Sequence, residues 1–353
     1  MEDLFTKTKN QIQQNLPFVL FCKPNSDHII GLFQKNDVLY LVKNFEEKGF
    51  VFAPFDGDII PIIPQNQSDV YVEKKTAGDF YVNNNNDFVT DEVHQIGFEN
   101  LVEKAVIAIQ SGAFQKVVVS RKETIKTNNL NTEMVFKKLI AYYPSAFNYC
   151  FFHPKIGMWM GATPEQLLKV NEDQIATVAL AGTQIFNSLE SVVWQEKEKN
   201  EQQLVTDFIS SQLADFVFNV NISKPYSAQA GNLWHIKTDI SARLLSKYNL
   251  KQVLHSLHPT PAVGGLPKAS AKAFILKNEA EEREYYSGFL GELNINLATF
   301  KTESSDLFVN LRCMKILNNA VELFVGCGVT KDSIPKNEYA ETVNKSMTMK
   351  RAL

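Results

Sequence analysis

The sequence predicts an α/β fold in which helices pack on large, mainly antiparallel sheets. Short apolar runs typical of strands recur along the whole chain of 353 residues, and longer segments with apolar residues at helical spacing lie between them. Many successive strands are separated by too few residues to hold a crossover helix, which excludes a purely parallel sheet. Since 44% of the residues are hydrophobic and 21% are charged, the chain can bury a large core.

Residues 1–90 are predicted to form a β-rich region that shares its sheets with the rest of the chain. Four apolar runs with turn residues between them indicate strands, at 16–22, 28–33, 38–42 and 59–63. The segment NNNND at 83–87 has nothing to bury and favours an exposed loop. It marks the predicted boundary between this region and a second unit over 95–353.

From residue 95 onward the helical and strand patterns are sharper. Apolar residues from Phe98 to Ile109 recur at helical spacing. Further helices are predicted near 133–142, 192–217, 268–283 and 336–349. Strands are predicted near 116–120, 147–152, 157–160, 165–170, 175–180, 233–237, 307–315 and 320–326.

The charge balance excludes a protein that binds nucleic acid through a basic surface, because 36 Lys and Arg face 39 Asp and Glu. No apolar run reaches the ~18 residues of a membrane helix, and the first residues lack the apolar core of a signal peptide. The cysteines, at 22, 150, 313 and 327, match no zinc-site spacing. We therefore expect a soluble, cytoplasmic protein with reduced thiols that contacts neither nucleic acid nor membrane.

Two pairs of carboxylates at helical spacing are the strongest chemical signal. Glu198 and Glu201 share one face of a long predicted helix, and Glu338 and Glu341 share a face of the last helix together with Lys345. If the two helices face each other, the oxygen ligands surround one centre, which suits Mg²⁺ better than zinc or copper. The same spacing is more often found on solvated helix faces with ordinary charge pairs.

Glycine-rich turns and two basic residues suggest an anionic substrate. The turns LAGT at 180–183, PTPAVGGLP at 259–267 and VGCGVT at 325–330 let backbone N–H groups approach an anion, although ordinary tight turns explain them as well. Lys116 opens the run KVVVSR, and Arg312 lies in the apolar run VNLRCMKI. A buried charge is costly unless it is paired, so each is either part of a structural ion pair or a substrate contact.

The order of these motifs along the chain resembles that of the chorismate-utilising enzymes. KVVVSR, GATPEQLL, ALAGT, KNEQQLV, LHPTPAVGGLPK, EREYYSGFLG, LRC and GCGVTKDSIPKNEYAETVNK follow one another over about 95–350, and the first 90 residues match only loosely. This family includes isochorismate synthase, salicylate synthase, anthranilate synthase component I and aminodeoxychorismate synthase component I. The resemblance implies an α/β sandwich like that of anthranilate synthase component I, with 95–353 as the chorismate-binding catalytic domain.

The resemblance also implies a magnesium site. Glu201 and Glu341 would bind Mg²⁺ directly, and Glu198 and Glu338 would contact it through water. Many family members read Glu-His where this chain has Glu201 followed by Gln202. That departure puts a neighbouring contact in doubt and leaves the carboxylate in place.

The other motif residues would surround the substrate. The resemblance makes Lys116 the base that activates water and Glu165 the acid, which burial is expected to keep protonated. Arg312 would grip a substrate carboxylate, with Lys345 and the backbone around two glycines. Further substrate contacts are implied at Ala181, Gly182, Thr183, His235, Val263, Tyr285, Gly326 and Gly328, and Tyr285 shares its motif with Tyr286.

Within the family the sequence is similar to the water-adding members. Members with a lysine nucleophile carry it where this chain has Ala181, whereas water-adding members have a lysine at the position of Lys116. The resemblance thus implies a Mg²⁺-dependent isochorismate synthase, an isomerase that acts on chorismate as a monomer. A salicylate synthase, an amine-forming relative and a catalytically silent carboxylate-binding relative stay open, as does the choice between a menaquinone and a siderophore pathway.

Overall fold

Two antiparallel sheets stacked face to face form the frame of the molecule. The structure is a computed structural model, and it describes residues 3–75, 92–185, 192–230 and 233–353. The predicted boundary at 83–87 lies outside these residues. The predicted α/β fold with large antiparallel sheets is confirmed.

Strands are numbered in chain order. Within the described residues, sheet 1 runs in the order β15 (Gly265–Leu266), β7 (Lys116–Lys126), β19 (Ala320–Val329), β18 (Cys313–Ile316), β9 (Gly157–Thr163), β8 (Phe147–His153), β1 (Phe18–Cys22), β2 (His28–Gln34) and β6 (Ser68–Lys74). Sheet 2 runs in the order β12 (Val217–Ile222), β14 (Leu233–Leu244), β11 (Gln174–Ile185), β10 (Gln166–Asn171), β17 (Ser304–Val309), β16 (Phe289–Leu293), β4 (Gly49–Ala53), β5 (Pro61–Pro64) and β3 (Tyr40–Leu41). Strand β13 (Tyr226–Ala230) also pairs with β14.

Aromatic side chains fill the space between the two sheets. Phe52 of sheet 2 stacks on Phe151 of sheet 1 with ring centroids 4.3 Å apart, and Phe308 stacks on Phe147 at 4.4 Å. These rings belong to one buried cluster with Trp159. Because large apolar rings give both a large buried area and favourable ring geometry, this layer fixes the stacking of the sheets.

Helices cover the outer faces of both sheets. Their bounds in the described residues are α1 (Leu4–Gln13), α2 (Glu92–Gln110), α3 (Thr132–Tyr142), α4 (Glu196–Leu213), α5 (Leu250–Leu257), α6 (Lys268–Asn278) and α7 (Pro335–Lys350), with a 3₁₀ turn at Gln65–Gln67. Helices α4 and α5 pack on sheet 2. Helices α1 and α3 cover one part of sheet 1, and α2, α6 and α7 pack beside β7 and β19. None of these helices is long and apolar enough to cross a membrane.

Strands from residues 18–74 belong to both sheets. Strands β1, β2 and β6 extend sheet 1 beyond β8, and β3, β4 and β5 extend sheet 2 beyond β16. Strands β4 and β16, in which every residue is buried, were not predicted from the sequence.

The predicted single strand over 307–315 is wrong. The chain leaves sheet 2 after β17, crosses at 310–312, and enters sheet 1 as β18. Arg312 therefore lies at a crossing between sheets and not inside a strand, with a positive φ of 48°. The helices predicted over 192–217 and 268–283 are shorter, since α4 spans Glu196–Leu213 and α6 ends at Asn278.

Candidate active site

A cavity of about 950 Å³, including its opening to solvent, lies between α4 on sheet 2 and α7 on sheet 1. Nearly all of the predicted site residues line it or contact its lining. The lining residues are Val118, Pro164, Glu165, Leu180, Ala181, Gly182, Glu198, Glu201, His235, Ala262, Val263, Tyr286, Leu311, Arg312, Phe324, Val325, Gly326, Cys327, Gly328, Glu338, Glu341 and Lys345.

Two crossings between the sheets position the central charged groups. Glu165 lies between β9 of sheet 1 and β10 of sheet 2, and Arg312 lies between β17 of sheet 2 and β18 of sheet 1. The crossings are joined, because the N–H of Val309 donates to the carbonyl of Glu165 at 2.9 Å. The hydroxyl of Thr163 donates to the carbonyl of Val309 at 2.6 Å. Residues 147 positions apart in the sequence thus face one cavity.

The carboxyl group of Glu165 is buried beside cations. The residue is 5% exposed. Burial raises the pKa of its carboxyl to about 7, although Lys116, Arg312 and Lys345 act in the opposite direction. A carboxyl with this pKa can donate a proton near neutral pH and take one back.

The effect of Glu165→Gln on the free energy of unfolding, relative to the wild type, should be more favourable at pH 8 than at pH 5. The folded pKa of about 7 lies above the ordinary 4.5, so the contribution of Glu165 to the stability of the wild type is greatest below 4.5 and declines as pH rises to about 7. Gln does not titrate, so the free energy of unfolding of Glu165→Gln minus that of the wild type should rise by roughly 1–3 kcal/mol between the two pH values. Urea unfolding at both pH values measures this difference.

Glu133→Gln is the matched control. Burial acts to raise the pKa of Glu133, but hydrogen bonds from Lys137 and Lys9 lower it overall. Its carboxyl is ionised at both pH values, so the same difference should not depend on pH. An equal pH response in the two variants would contradict the raised pKa of Glu165.

Arg312 is held in a conformation that few non-glycine residues adopt. Its positive φ of 48° lies in the left-handed region, which is costly for a residue with a Cβ. Neighbouring contacts enforce it. The hydroxyl of Tyr149 donates to Asn310 Oδ1 at 2.6 Å, and the carbonyl of Arg312 accepts from the N–H of Ala162 at 3.0 Å. Burial lowers the pKa of the guanidinium, against the effect of Tyr286 and Glu341, but an arginine keeps its charge in proteins.

Buried Lys116 forms an ion pair with Glu201, which lines the cavity. The Lys116 side chain is 1% exposed, and its Nζ lies 2.7 Å from Oε1 of Glu201. Strand β19 passes directly beside the pair. A Cβ at Gly328 would lie 2.8 Å from Glu201 Oε1 and 3.1 Å from Lys116 Cε, so a larger residue would push the ends of these two side chains aside.

We expect Gly328→Ala to displace the ion pair of Lys116 and Glu201. The free energy of unfolding should fall by about 1–3 kcal/mol, because the added methyl group overpacks a buried contact. Gly97→Ala is the control, since among described atoms nothing lies within 4 Å of a Cβ at this position in α2. It should gain up to about 1 kcal/mol from helix propensity. A loss no larger than about 0.5 kcal/mol in Gly328→Ala would show that the pair tolerates the methyl group.

The four predicted metal-binding carboxylates all line the cavity, and three of them, Glu198, Glu201 and Glu341, contact protein groups. Glu341 lies 2.5 Å from Nζ of Lys345, and Lys345 also donates to the carbonyl of Gly326 at 3.1 Å. Glu198 accepts from the N–H of Gln195 at 3.0 Å in a capping box at the start of α4. Glu338 is 3% exposed.

These carboxylates have the chemistry of a site for a hard divalent cation. Burial raises the pKa of Cys327 well above its usual range, and Glu338, Glu341 and Glu201 raise it further, so three carboxylates act on one point of the cavity wall. In the part of the chain that the structure describes, however, no three His, Cys, Asp or Glu side chains are gathered as a metal cluster. The donor set fits Mg²⁺ in its chemistry, and its binding remains a prediction.

His235 and Gly182 form the wall opposite α7. His235 is 5% exposed, and its Nδ1 lies 2.8 Å from the carbonyl of Gly182. Burial, with Arg312 acting in the same direction, lowers the pKa of His235 to about 3, so the ring is neutral at physiological pH. Ala181 lines the cavity, and Thr183 follows in β11 with its side chain outside what the structure describes.

Gln202 ties α4 to sheet 2. Its Nε2 donates to Thr238 Oγ1 at 2.7 Å and to Thr206 Oγ1 at 2.9 Å, and the residue is 2% exposed. The residue after Glu201 thus anchors the helix that carries the carboxylates.

Tyr285 does not line the cavity, and its neighbour Tyr286 does. The Tyr285 ring stacks on Phe52 at 4.5 Å and meets Trp159 at 5.7 Å, within the aromatic layer between the sheets. The two tyrosines lie in a turn and point in different directions, and the implied substrate contact at Tyr285 stays a prediction.

Several lining residues carry no signal in the sequence. Phe324, Leu180 and Leu311 look like ordinary core residues of strands and turns, and Cys327 lies between the two predicted glycines. The alternation along β19 is the one usable signal for Phe324, since it places Phe324 on the same side as Gly326 and Gly328. Cys327 also belongs to the buried cluster under α2 and α7.

Comparison with known proteins confirms the family that the order of the motifs indicates. A family model described as "Chorismate binding enzyme" matches residues 60–353. A curated relative, the salicylate biosynthesis isochorismate synthase of Pseudomonas aeruginosa, is 30% identical over 272 residues, which cover 72% of this chain and 54% of the relative. The chain thus spans about half the length of that relative.

Solved structures share the fold. The menaquinone-specific isochorismate synthase MenF of Escherichia coli superposes with a TM-score of 0.79 at 21% identity, over 96% of this chain and 89% of that one. Anthranilate synthase component I of Streptococcus pneumoniae superposes with a TM-score of 0.69 at 19% identity, over 94% and 92%. The α/β sandwich predicted by analogy with anthranilate synthase component I is confirmed.

Proposed function

Because the chain belongs to the family of chorismate-binding enzymes, we propose that it is an isochorismate synthase, an isomerase that adds water at C2 of chorismate and removes the hydroxyl at C4. The observation that carries this proposal is the placement of Lys116 and Glu165. Glu165 lines the cavity, and the Lys116 ammonium contacts Glu201 of its lining at 2.7 Å and acts on the Glu165 carboxyl.

The proposed reaction needs a base at one ring carbon and an acid at another. Water is a poor nucleophile, so Lys116 would take a proton from it as it attacks C2. Hydroxide is a poor leaving group, so Glu165 would donate a proton as the C4 hydroxyl departs. The pKa of Glu165 near 7 supports this role, because both the protonated and the ionised carboxyl are accessible near neutral pH. Base catalysis requires the neutral amine, so Lys116 would have to leave its ion pair with Glu201.

We further propose that Glu201 and Glu341 bind Mg²⁺, with Glu198 and Glu338 around it. When bound, Mg²⁺ would polarise the ring carboxylate of chorismate and fix its position. The four carboxylates on one cavity support this proposal. Both direct ligands would exchange a lysine partner for the cation, which leaves Lys116 and Lys345 available to the substrate.

Ala181 supports a water-adding reaction. This position lines the cavity and is 8% exposed. A methyl group cannot attack the ring, so the lysine-nucleophile route to an amine has no nucleophile here. Lys116, on β7, contacts Glu201 of the cavity lining and would activate water instead.

Arg312→Lys should lower kcat/KM for chorismate by about 30-fold or more. Arg312 would hold the pyruvyl carboxylate through two parallel hydrogen bonds, and lysine cannot reproduce that planar fork. A charged hydrogen bond left unmade in a buried site costs roughly 2–4 kcal/mol. Steady-state kinetics measure the loss, and Arg243→Lys at the exposed pair with Asp173 is the control. A loss of less than about tenfold would make Arg312 a structural residue.

Incubation with chorismate and Mg²⁺, followed by chromatography, tests the proposed function. Isochorismate as the main product supports it. Salicylate with an equal amount of pyruvate would identify a salicylate synthase, and anthranilate formed with added ammonia would identify an amine-forming enzyme. Chorismate that binds without turnover would identify a silent carboxylate-binding relative.

A further inference from the structure

A buried arginine stands behind the cavity wall. Arg283, in the turn between α6 and β16, is 5% exposed and does not line the cavity. It forms a two-point ion pair with Glu279 at the end of α6, with Nε to Oε2 at 2.8 Å and Nη2 to Oε1 at 2.6 Å. The side chains of this pair are 3% and 4% exposed, so the contact is shielded from water and salt.

The guanidinium also binds two segments of the wall through their backbone. Its Nη2 donates to the carbonyl of Val118 at 2.6 Å, and its Nη1 donates to the carbonyl of Val263 at 2.9 Å. Both valines line the cavity. The same cation lies 5.8 Å from the ring of Tyr286, a third lining residue. Three parts of the chain that are distant in sequence thus meet at one side chain.

All five N–H donors of Arg283 have protein acceptors within 3.5 Å. Two contact Glu279, one contacts Val118, one contacts Val263, and the last contacts Ser287 Oγ at 3.5 Å. Glu279 adds a further bond, since its Oε1 accepts from the N–H of Ser120 at 2.7 Å. A guanidinium engaged in this way has no donor left for a substrate, and all of its hydrogen bonds hold protein groups in place.

We propose that Arg283, with Glu279, is a positioning residue that holds Val118, Val263 and Tyr286 against the bound substrate. The proposal rests on the proposed function for the identity of that substrate. A wall displaced by about 1 Å is enough to cost on the order of 10²-fold in rate. Val263 and Tyr286 line the same cavity as Arg312, the proposed partner of the pyruvyl carboxylate, so a displaced wall should also change how often pyruvate is lost from the product.

Arg283→Lys tests the proposal, because lysine keeps the charge but has three donors and no planar fork. We expect kcat/KM for chorismate to fall more than about tenfold, and the ratio of pyruvate to isochorismate to change at least about threefold. Glu279→Gln, which removes one charge of the pair, should have the same effects to a lesser degree, and it replaces Arg283→Lys if that variant does not fold.

Two controls separate positioning from general stability. Leu139→Ala creates a cavity in the cluster under α3, away from the site, and lowers the melting temperature without touching the wall. Arg243→Lys makes the same substitution at the exposed pair with Asp173. Both should keep the wild-type product ratio. The two variants are compared at an equal loss of melting temperature. If Arg283→Lys then agrees with Leu139→Ala within about threefold in kcat/KM and in product ratio, the proposal is overturned.

A crystal structure of Arg283→Lys tests the positioning role without reference to the reaction. Val263 and Tyr286 should shift by about 1 Å or more, and unchanged positions would overturn the proposal. If the wild type does not convert chorismate, the proposed function fails, and this structural comparison still decides whether Arg283 holds the wall.

Discussion

Glu165→Gln and Lys116→Ala should each lower kcat by at least about 10²-fold in both directions between chorismate and isochorismate. In the forward direction Lys116 takes a proton from water and Glu165 gives one to the leaving hydroxyl. In reverse the roles exchange, so neither direction can proceed well without either group. Substrate binding should survive in both variants, because Arg312 and the carboxylates of α4 and α7 remain.

The pH dependence of kcat/KM should have the same bell shape in both directions. Chorismate and isochorismate carry the same charge, so their equilibrium constant does not change with pH, and the two kcat/KM values must rise and fall together. In either direction the active enzyme holds one proton on the pair of Glu165 and Lys116, so one limb of the bell should lie at about pH 7, where Glu165 titrates. That limb should be lost in Glu165→Gln. Initial rates from pH 5.5 to 9, followed by chromatography of both substrates, measure the profile.

A purely electrostatic role for Lys116 predicts a different result. If its ammonium only pairs with the anionic substrate, Lys116→Ala should raise KM and leave kcat nearly unchanged. That outcome would remove Lys116 from the proton transfer and with it the water-adding assignment. Lys126→Ala, at the exposed end of the same strand, is the matched control and should leave both constants unchanged.

The local part of the site follows from the sequence, because helical spacing places residues on a common face. Glu198 with Glu201, and Glu338 with Glu341, were predicted as pairs on two helices, and all four line the cavity. Motif order, and not spacing, indicated that the two helices face each other. The confirmed family match covers the segments that hold both pairs.

The long-range part depends on contacts that no local pattern encodes. The ion pair between Lys116 and Glu201 joins a strand of sheet 1 to a helix on sheet 2 across 85 positions of the sequence. The left-handed backbone of Arg312 arises where the chain changes sheets, and the apolar run around it resembles an unbroken strand. Arg283 was part of a recognised motif, but its role behind the wall follows from its hydrogen bonds alone.

Removal of the metal should abolish activity, and so should Glu341→Gln. EDTA should abolish the activity of the wild type, because the ring carboxylate of the substrate would lose the cation that polarises and orients it. Added Mg²⁺ should restore the activity. Glu341→Gln and Glu201→Gln each remove one charged oxygen ligand while keeping the shape of the side chain. Both variants should stay folded and should not be rescued by Mg²⁺ at concentrations that saturate the wild type.

Isothermal titration of the protein with Mg²⁺ separates metal binding from ordinary ion pairing. If Glu201 and Glu341 serve only as partners of Lys116 and Lys345, at 2.7 and 2.5 Å, their replacement should lower stability while EDTA has no effect. If they bind the cation, each Gln variant should weaken Mg²⁺ binding by at least about tenfold, since a neutral amide is a poorer ligand for a hard ion. Glu196→Gln, on the same helix as Glu201 but with a side chain 79% exposed, should leave binding unchanged. Full activity in EDTA would remove the metal from the mechanism and leave the four carboxylates as a network of charge pairs.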